Sequence, residues 1–167
     1  MTLRQVLNKP FLIKLKKEPT MTFKLHSQLA KDSLHLADLE LCQLRLINDQ
    51  RFYWLLLIPR VAEVSEITAL NPTDYQQLGL EVGLLSRVIK PLTQADKLNI
   101  ATLGNRVAQL HLHLIARFTK DAAWPDPVWG VGTAEPYSLE KVKDLAMELK
   151  NACSNISNPL PISWKIN

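Results

Sequence analysis

The segment 108-AQLHLHLIAR-117 puts His111 and His113 one residue apart in an otherwise apolar run, with Gln109 in the same alternation. Side chains of an extended chain project with period two. Gln109, His111 and His113 therefore share one face, and Leu110, Leu112 and Leu114 the other. Same-face neighbours lie roughly 6.5 to 7 Å apart, so one ligand group, such as a phosphate, can touch both rings.

Histidine's ordinary pKa of ~6.5 leaves the ring partly neutral at physiological pH. One ring can then attack phosphorus while its neighbour, protonated, donates to the oxygens. Two other readings stay open for a bare His-x-His. The strand can simply pair both rings with water or buried carbonyls, or the pair can begin a zinc or iron site. A metal needs a third ligand. The remaining histidines are His26 and His35, and no acidic residue follows His113 before Asp121.

Outward from this strand, "LELCQLRLIN" (39–48) alternates with Cys42, Leu44 and Leu46 on one face, and "RFYWLLLIPR" (51–60) is rich in branched and aromatic residues. With a turn at residues 48–50 they form a hairpin. Asn71 caps a helix whose first residue is Pro72. It carries Tyr75, Leu78, Val82, Leu85 and Ile89 at spacings of three and four and ends near Pro91. "KLNIATLG" (97–104) reads as a further strand, with a turn at Gly104 and Asn105. Residues 119–136 hold three prolines and two glycines and form a loop, after which Ser138 caps a helix bearing Leu139, Val142, Leu145, Ala146 and Leu149. Ahead of the hairpin, "TFKLHSQLAKDS" (22–33) suggests a short helix closing near Asp32.

At 167 residues and 19.0 kDa the chain fits one domain and is too short for an eight-stranded α/β barrel. The longest apolar run, residues 52–59, falls well below the ~18 residues of a membrane span. Cys42 and Cys153 match no metal or redox spacing and read as buried, reduced thiols. The net charge of +4 is carried by residues 1–20, where Arg4, Lys9, Lys14, Lys16 and Lys17 face only Glu18, and the rest of the chain is neutral. A nucleic-acid binder would carry that excess on its folded face, so no nucleic-acid partner is expected. The expected organisation is a basic N-terminal extension at 1–20 and one domain at 21–167, without the features of a secretory signal.

The segment 109-QLHLHLI-115 resembles the histidine triad of the HIT superfamily, His-x-His-x-His followed by apolar residues, with glutamine in the first triad position. The resemblance extends back through "LRLINDQRFYWLLLIPR" and the Pro72 helix and forward through "DAAWPDPVWG". It implies an α+β, HIT-like fold: an antiparallel sheet of about five strands with two main helices packed on it, paired as a homodimer.

The implied activity is a metal-independent, cofactor-free, cytoplasmic nucleotidyl hydrolase or transferase acting on a nucleotide or nucleotide conjugate. By position, His111 matches the nucleophile that becomes a nucleotidyl-imidazole, and His113 the ring that holds phosphoryl oxygens. The Gln109 carbonyl fixes the nucleophile's tautomer. Asn48 matches a ribose contact, with Asp49 as alternative. Asn105 and Arg106 stand where the family carries a phosphate-binding amide and hydroxyl, and Asn99 lies one residue out of register with an upstream amide. Trp124 and Trp129 either anchor the loop or stack a base. Glutamine cannot deliver a proton, which keeps a nucleotide-binding module with little catalysis as an alternative, and a His-x-His metal enzyme as a further one.

Overall fold

The computed structural model describes residues 22–157 and 159–165, so the basic stretch 1–20 lies outside the described residues. The elements run α1 (Ser27–Asp32), β1 (Ser33–Asp38), β2 (Cys42–Ile47), β3 (Tyr53–Pro59), α2 (Pro72–Thr93), β4 (Lys97–Ala101), β5 (Leu112–Arg117), α3 (Leu139–Ser154) and β6 (Ser163–Trp164). The strands form one antiparallel sheet in the order β4-β5-β3-β2-β1-β6. The fold is α+β as expected, with six strands where about five are expected. Strand β1 alternates Leu34 and Leu36 with His35 and Ala37 over too short a run to separate from α1, and β6 is only two residues long.

Strand parity divides the molecule. Leu44 and Leu46 of β2, Leu55 and Leu57 of β3, and Leu112 and Leu114 of β5 join Leu78, Leu85, Ile89 and Leu149 of the helices in the main core. Each such side chain contributes about 1.5–3 kcal/mol by leaving water, enough together to order helices on that side. The opposite parity sends Trp54, Leu56, His113 and Ile115 to the face away from α2 and α3, where Leu56 pairs with His113 and Trp54 with Ile115 and where Leu29 of α1 packs on Leu56.

Helix α2 starts as predicted, with the Asn71 side chain accepting from the Asp74 N–H and Pro72 in the first turn. It continues past Pro91 to Thr93, because a proline in the last turn forfeits little of the helical ladder, and closes on Gln94 in the left-handed region. The buried stripe differs from the periodicity. Tyr75 is 56% exposed, whereas Glu81 is fully buried between Leu78 and Leu84. The Glu81 carboxylate accepts from the Leu41 and Cys42 N–H groups (2.7 and 3.0 Å) and from Gln77 Nε2, pinning the β1–β2 turn onto α2. Cys42 and Cys153 are buried free thiols, and burial raises both pKa values, that of Cys153 to about 11. Among the described residues no helix is long and apolar enough to cross a membrane.

Candidate active site

Strand β5 begins at Leu112, so Gln109 and His111 lie in its approach rather than in the ladder. The Leu110 N–H is spent on the Val64 carbonyl (2.9 Å), in the loop after β3, which turns residues 109–111 out of the strand. The bend brings the Gln109 carbonyl to the ring of His111, whose Nδ1–H donates to it at 2.7 Å. A carbonyl only accepts, so the neutral ring carries its lone pair on Nε2.

His113 is fixed the other way. Trp54 Nε1–H donates to His113 Nδ1 at 2.9 Å. An indole only donates, so Nδ1 holds the lone pair and the proton sits on Nε2. The two rings meet edge to face, with centroids 4.9 Å apart. Trp129 closes the far side, 5.1 Å from His113 and edge-on to Trp54 at 5.7 Å. His111 and His113 are 7% and 6% exposed. Burial, joined by the neighbouring His111, pushes the pKa of His113 down to about 3. The sequence reading of a protonated neighbour is thereby corrected: His113 is a neutral donor, because its surroundings are too apolar to solvate an imidazolium.

This has a stability consequence with a definite sign. Between pH 6.5 and about 3 the unfolded chain binds a proton at His113 that the folded chain excludes, so stability is lost as pH falls through that window. Going from pH 8 to 5 is expected to cost roughly 2 kcal/mol through this group. In the His113→Asn variant, whose amide can still accept from Trp54, urea unfolding across that range is expected to lose this share of the slope. Identical slopes in the two proteins would contradict the assignment.

Both rings open onto a cavity of about 790 Å³, to which Trp54, Asn105, Arg106 and Trp129 contribute. Three predicted contacts are not among its lining residues. Asn48 Oδ1 accepts from the Tyr137 N–H (2.9 Å), which ties the hairpin turn to the segment before α3. The alternative, Asp49, is 4% exposed and bound to Arg51 at 2.6 Å. Burial alone would raise its pKa, but hydrogen bonds from Arg51 and the Glu135 N–H hold it below the usual carboxylate value.

Asn99 accepts from Arg117 Nη1 (2.7 Å), and Trp124 lies at the surface with the Arg117 guanidinium 5.8 Å from its ring. Trp129 is the loop aromatic that reaches the cavity. The reason is Arg117, 1% exposed, which forks onto Asp121 (2.7 and 3.1 Å) and donates to the Asp126 carbonyl, folding the loop back over β5.

The Gln109 side chain does not line the cavity either. Its amide matches two backbone groups of the incoming chain, accepting from the His26 N–H and donating to the Lys24 carbonyl, both at 2.9 Å. Among the lining residues that the sequence does not single out for the site are Trp54, Asp32 and His26. In the sequence Trp54 is visible only as part of an apolar strand, and His26 only as one of the two histidines outside the His111–His113 pair. Among the described residues no group of three or more His, Cys, Asp or Glu is placed to hold a metal ion.

The family model described as "HIT domain" matches residues 28–120, over half of the chain. No curated protein matches. Among solved structures, a histidine triad protein from Bradyrhizobium japonicum is 42% identical, covering 79% of this chain and 98% of that one with a TM-score of 0.77. One from Sinorhizobium meliloti is 42% identical (80% and 99% covered, TM-score 0.77), and one from Marinobacter aquaeolei is 39% identical (82% and 100%, TM-score 0.78). The match over strands, α2 and the histidine segment, together with these near full-length likenesses, shows that the chain belongs to the HIT domain family.

Proposed function

We propose that the chain is a nucleotide hydrolase or transferase that cleaves a nucleoside α-phosphate linkage (a phosphoramidate, nucleotidyl ester or dinucleoside polyphosphate) through a nucleotidyl-histidine on His111, with Gln109 in the first triad position. The observation that carries this reading is the opposed tautomers: His111 offers a lone pair on Nε2 and His113 an Nε2–H into one cavity. His111 Nε2 attacks phosphorus. The new N–P bond forms as the P–O or P–N bond to the leaving group breaks, and that bond's electron pair departs with the leaving group. The ring's resulting positive charge is shared with the Gln109 carbonyl through Nδ1–H. His113 Nε2–H steadies the phosphoryl oxygens. Water then attacks phosphorus, the N–P pair returns to Nε2, and water's proton goes to the leaving group or solvent.

Arg106 and Asn105 supply charged and neutral donors to the phosphates, and the Asp32 carboxylate is the acceptor suited to ribose hydroxyls. A homodimer belongs to this reading through the family resemblance, and a cytoplasmic location through the two free, buried thiols. The chemistry as written takes no metal. Quenching the protein with an α-phosphate-labelled nucleotide substrate is expected to leave acid-labile label on the peptide containing His111, at a yield unchanged by chelator. Stoichiometric zinc or iron, with turnover lost to chelator, would instead favour the metal enzyme. The second reading, a binding module, rests on the Gln109 amide being committed to backbone, and nucleotide binding without turnover or label would select it.

A further inference from the structure

We propose that His26 is a leaving-group contact of this site and that the Gln109 side chain is the positioning residue that holds it there, an inference that rests on the nucleotidyl-transfer reading above. His26 belongs to the segment leading into α1, 83 residues before Gln109 in the chain, yet it forms part of the wall of the cavity that holds His111 and His113. Phe23, Leu25 and Leu29 lay this segment against Leu56 and Ile58 of the sheet. The polar connection is the side-chain amide of Gln109, which presents an acceptor and a donor side by side, as a peptide group does. It takes the His26 N–H and gives to the Lys24 carbonyl, stitching this extended segment to the backbone that also orients the nucleophile.

The His26 ring is itself oriented. Its Nδ1 accepts from the Gln28 N–H at 3.1 Å, so the neutral ring carries its proton on Nε2. That N–H takes no partner among the described residues. The other imidazole donors are already assigned: His111 Nδ1–H to the Gln109 carbonyl, and His113 Nε2–H to phosphoryl oxygen. His26 supplies a hydrogen bond to the group that leaves.

The same geometry selects a class of leaving group. With Nδ1 engaged as an acceptor, the ring donates a hydrogen bond but does not surrender its proton. In the bond-breaking step the electron pair of the P–O bond therefore stays on the leaving oxygen, which departs as an anion stabilised by His26 Nε2–H and by Arg106, which lines the same cavity. Amines, which must gain a proton to leave, are disfavoured. The preferred substrates carry a phosphate chain beyond the α-phosphate.

The test compares turnover of diadenosine or diguanosine tetraphosphate with that of the matching nucleoside 5′-p-nitrophenyl phosphates, whose phenolate leaves with little help. His26→Asn keeps an N-cap acceptor for the Gln28 N–H, so that α1 still forms, but removes the ring's Nε2–H. It is expected to lower kcat on the tetraphosphate by about 10- to 100-fold, and at least about tenfold more than on the aryl ester, with KM little changed. Gln109→Ala is expected to reproduce that split. Gln109→Glu, which keeps the acceptor for the His26 N–H, is expected to recover part of it. Equal losses on both substrates, a loss confined to KM, or no loss would overturn the inference while leaving the covalent reading intact. The His111→Ala control separates the two: turnover that survives it, or a wild type silent on both substrates, ends the covalent reading and this inference with it.

Discussion

Replacing His111 with alanine is expected to lower kcat by at least about 10⁴-fold while leaving mononucleotide binding within a few-fold of wild type. The proposed nucleophile makes the only bond to phosphorus in the first step. Its removal leaves positioning and the donors of His113 and Arg106, which alone supply a small residue of catalysis. A factor of 10⁴ is about 5.5 kcal/mol of barrier. The fold should tolerate the change, since His111 stands before the first residue of β5 and contributes one hydrogen bond, to the Gln109 carbonyl. Steady-state kinetics beside calorimetric titration with a mononucleotide separate chemistry from binding. A kcat within tenfold of wild type would remove His111 from the reaction.

Arg117→Ala is expected to cost about 3–5 kcal/mol of stability, a large part of the ~5–15 kcal/mol typical of a domain. The guanidinium is almost entirely buried and donates to the Asp121 carboxylate, the Asn99 side chain and the Asp126 carbonyl. Truncation leaves Asp121 buried with only the Phe118 and Ala123 N–H groups for partners. In the intact protein, burial would raise the Asp121 pKa, but hydrogen bonds from Arg117 and from those two N–H groups outweigh it and hold it below the ordinary carboxylate value. The melting temperature is expected to fall by roughly 6–20 °C. Arg117→Lys should recover only part of this, because an ammonium cannot fork onto a carboxylate. Nucleotide affinity should fall too, as the loop that places Trp129 beside His113 loses its anchor. A melting temperature within 3 °C of wild type would show that the loop is held by other contacts.

The elements were legible where one periodicity ran long enough: the β2–β3 hairpin, α2 with its Asn71 cap, β4, and α3 behind Ser138. Strand β1 was not, because six residues between a short helix and a turn carry too little alternation. Glu81 was hidden for the opposite reason. A carboxylate on a helix reads as solvated unless the two backbone N–H groups it serves, forty residues away in the chain, are already known. For the site, spacing marked the His111–His113 pair and the family resemblance added Asn105 and Arg106; all four line the cavity. Asn48, Asn99 and Trp124 do not line it, their polar or aromatic groups being engaged by Tyr137 and Arg117.

By itself the sequence determined the parity of β5, and with it the histidine face and the leucine face, because period-two projection needs no partner to be read. The contact of His111 with the Gln109 carbonyl, which the family resemblance implies, needs in addition the bend that the Leu110 N–H makes by donating to the Val64 carbonyl. Only the tertiary structure decided the protonation state of His113, since that depends on the Trp54 indole from another strand and on burial beneath Trp129 from a distant loop. It alone turned the Gln109 amide away from the cavity and onto Lys24 and His26. Hydrogen bonds between groups more than eighty residues apart leave no periodic trace in the chain. They exist only once the sheet has set both ends beside each other.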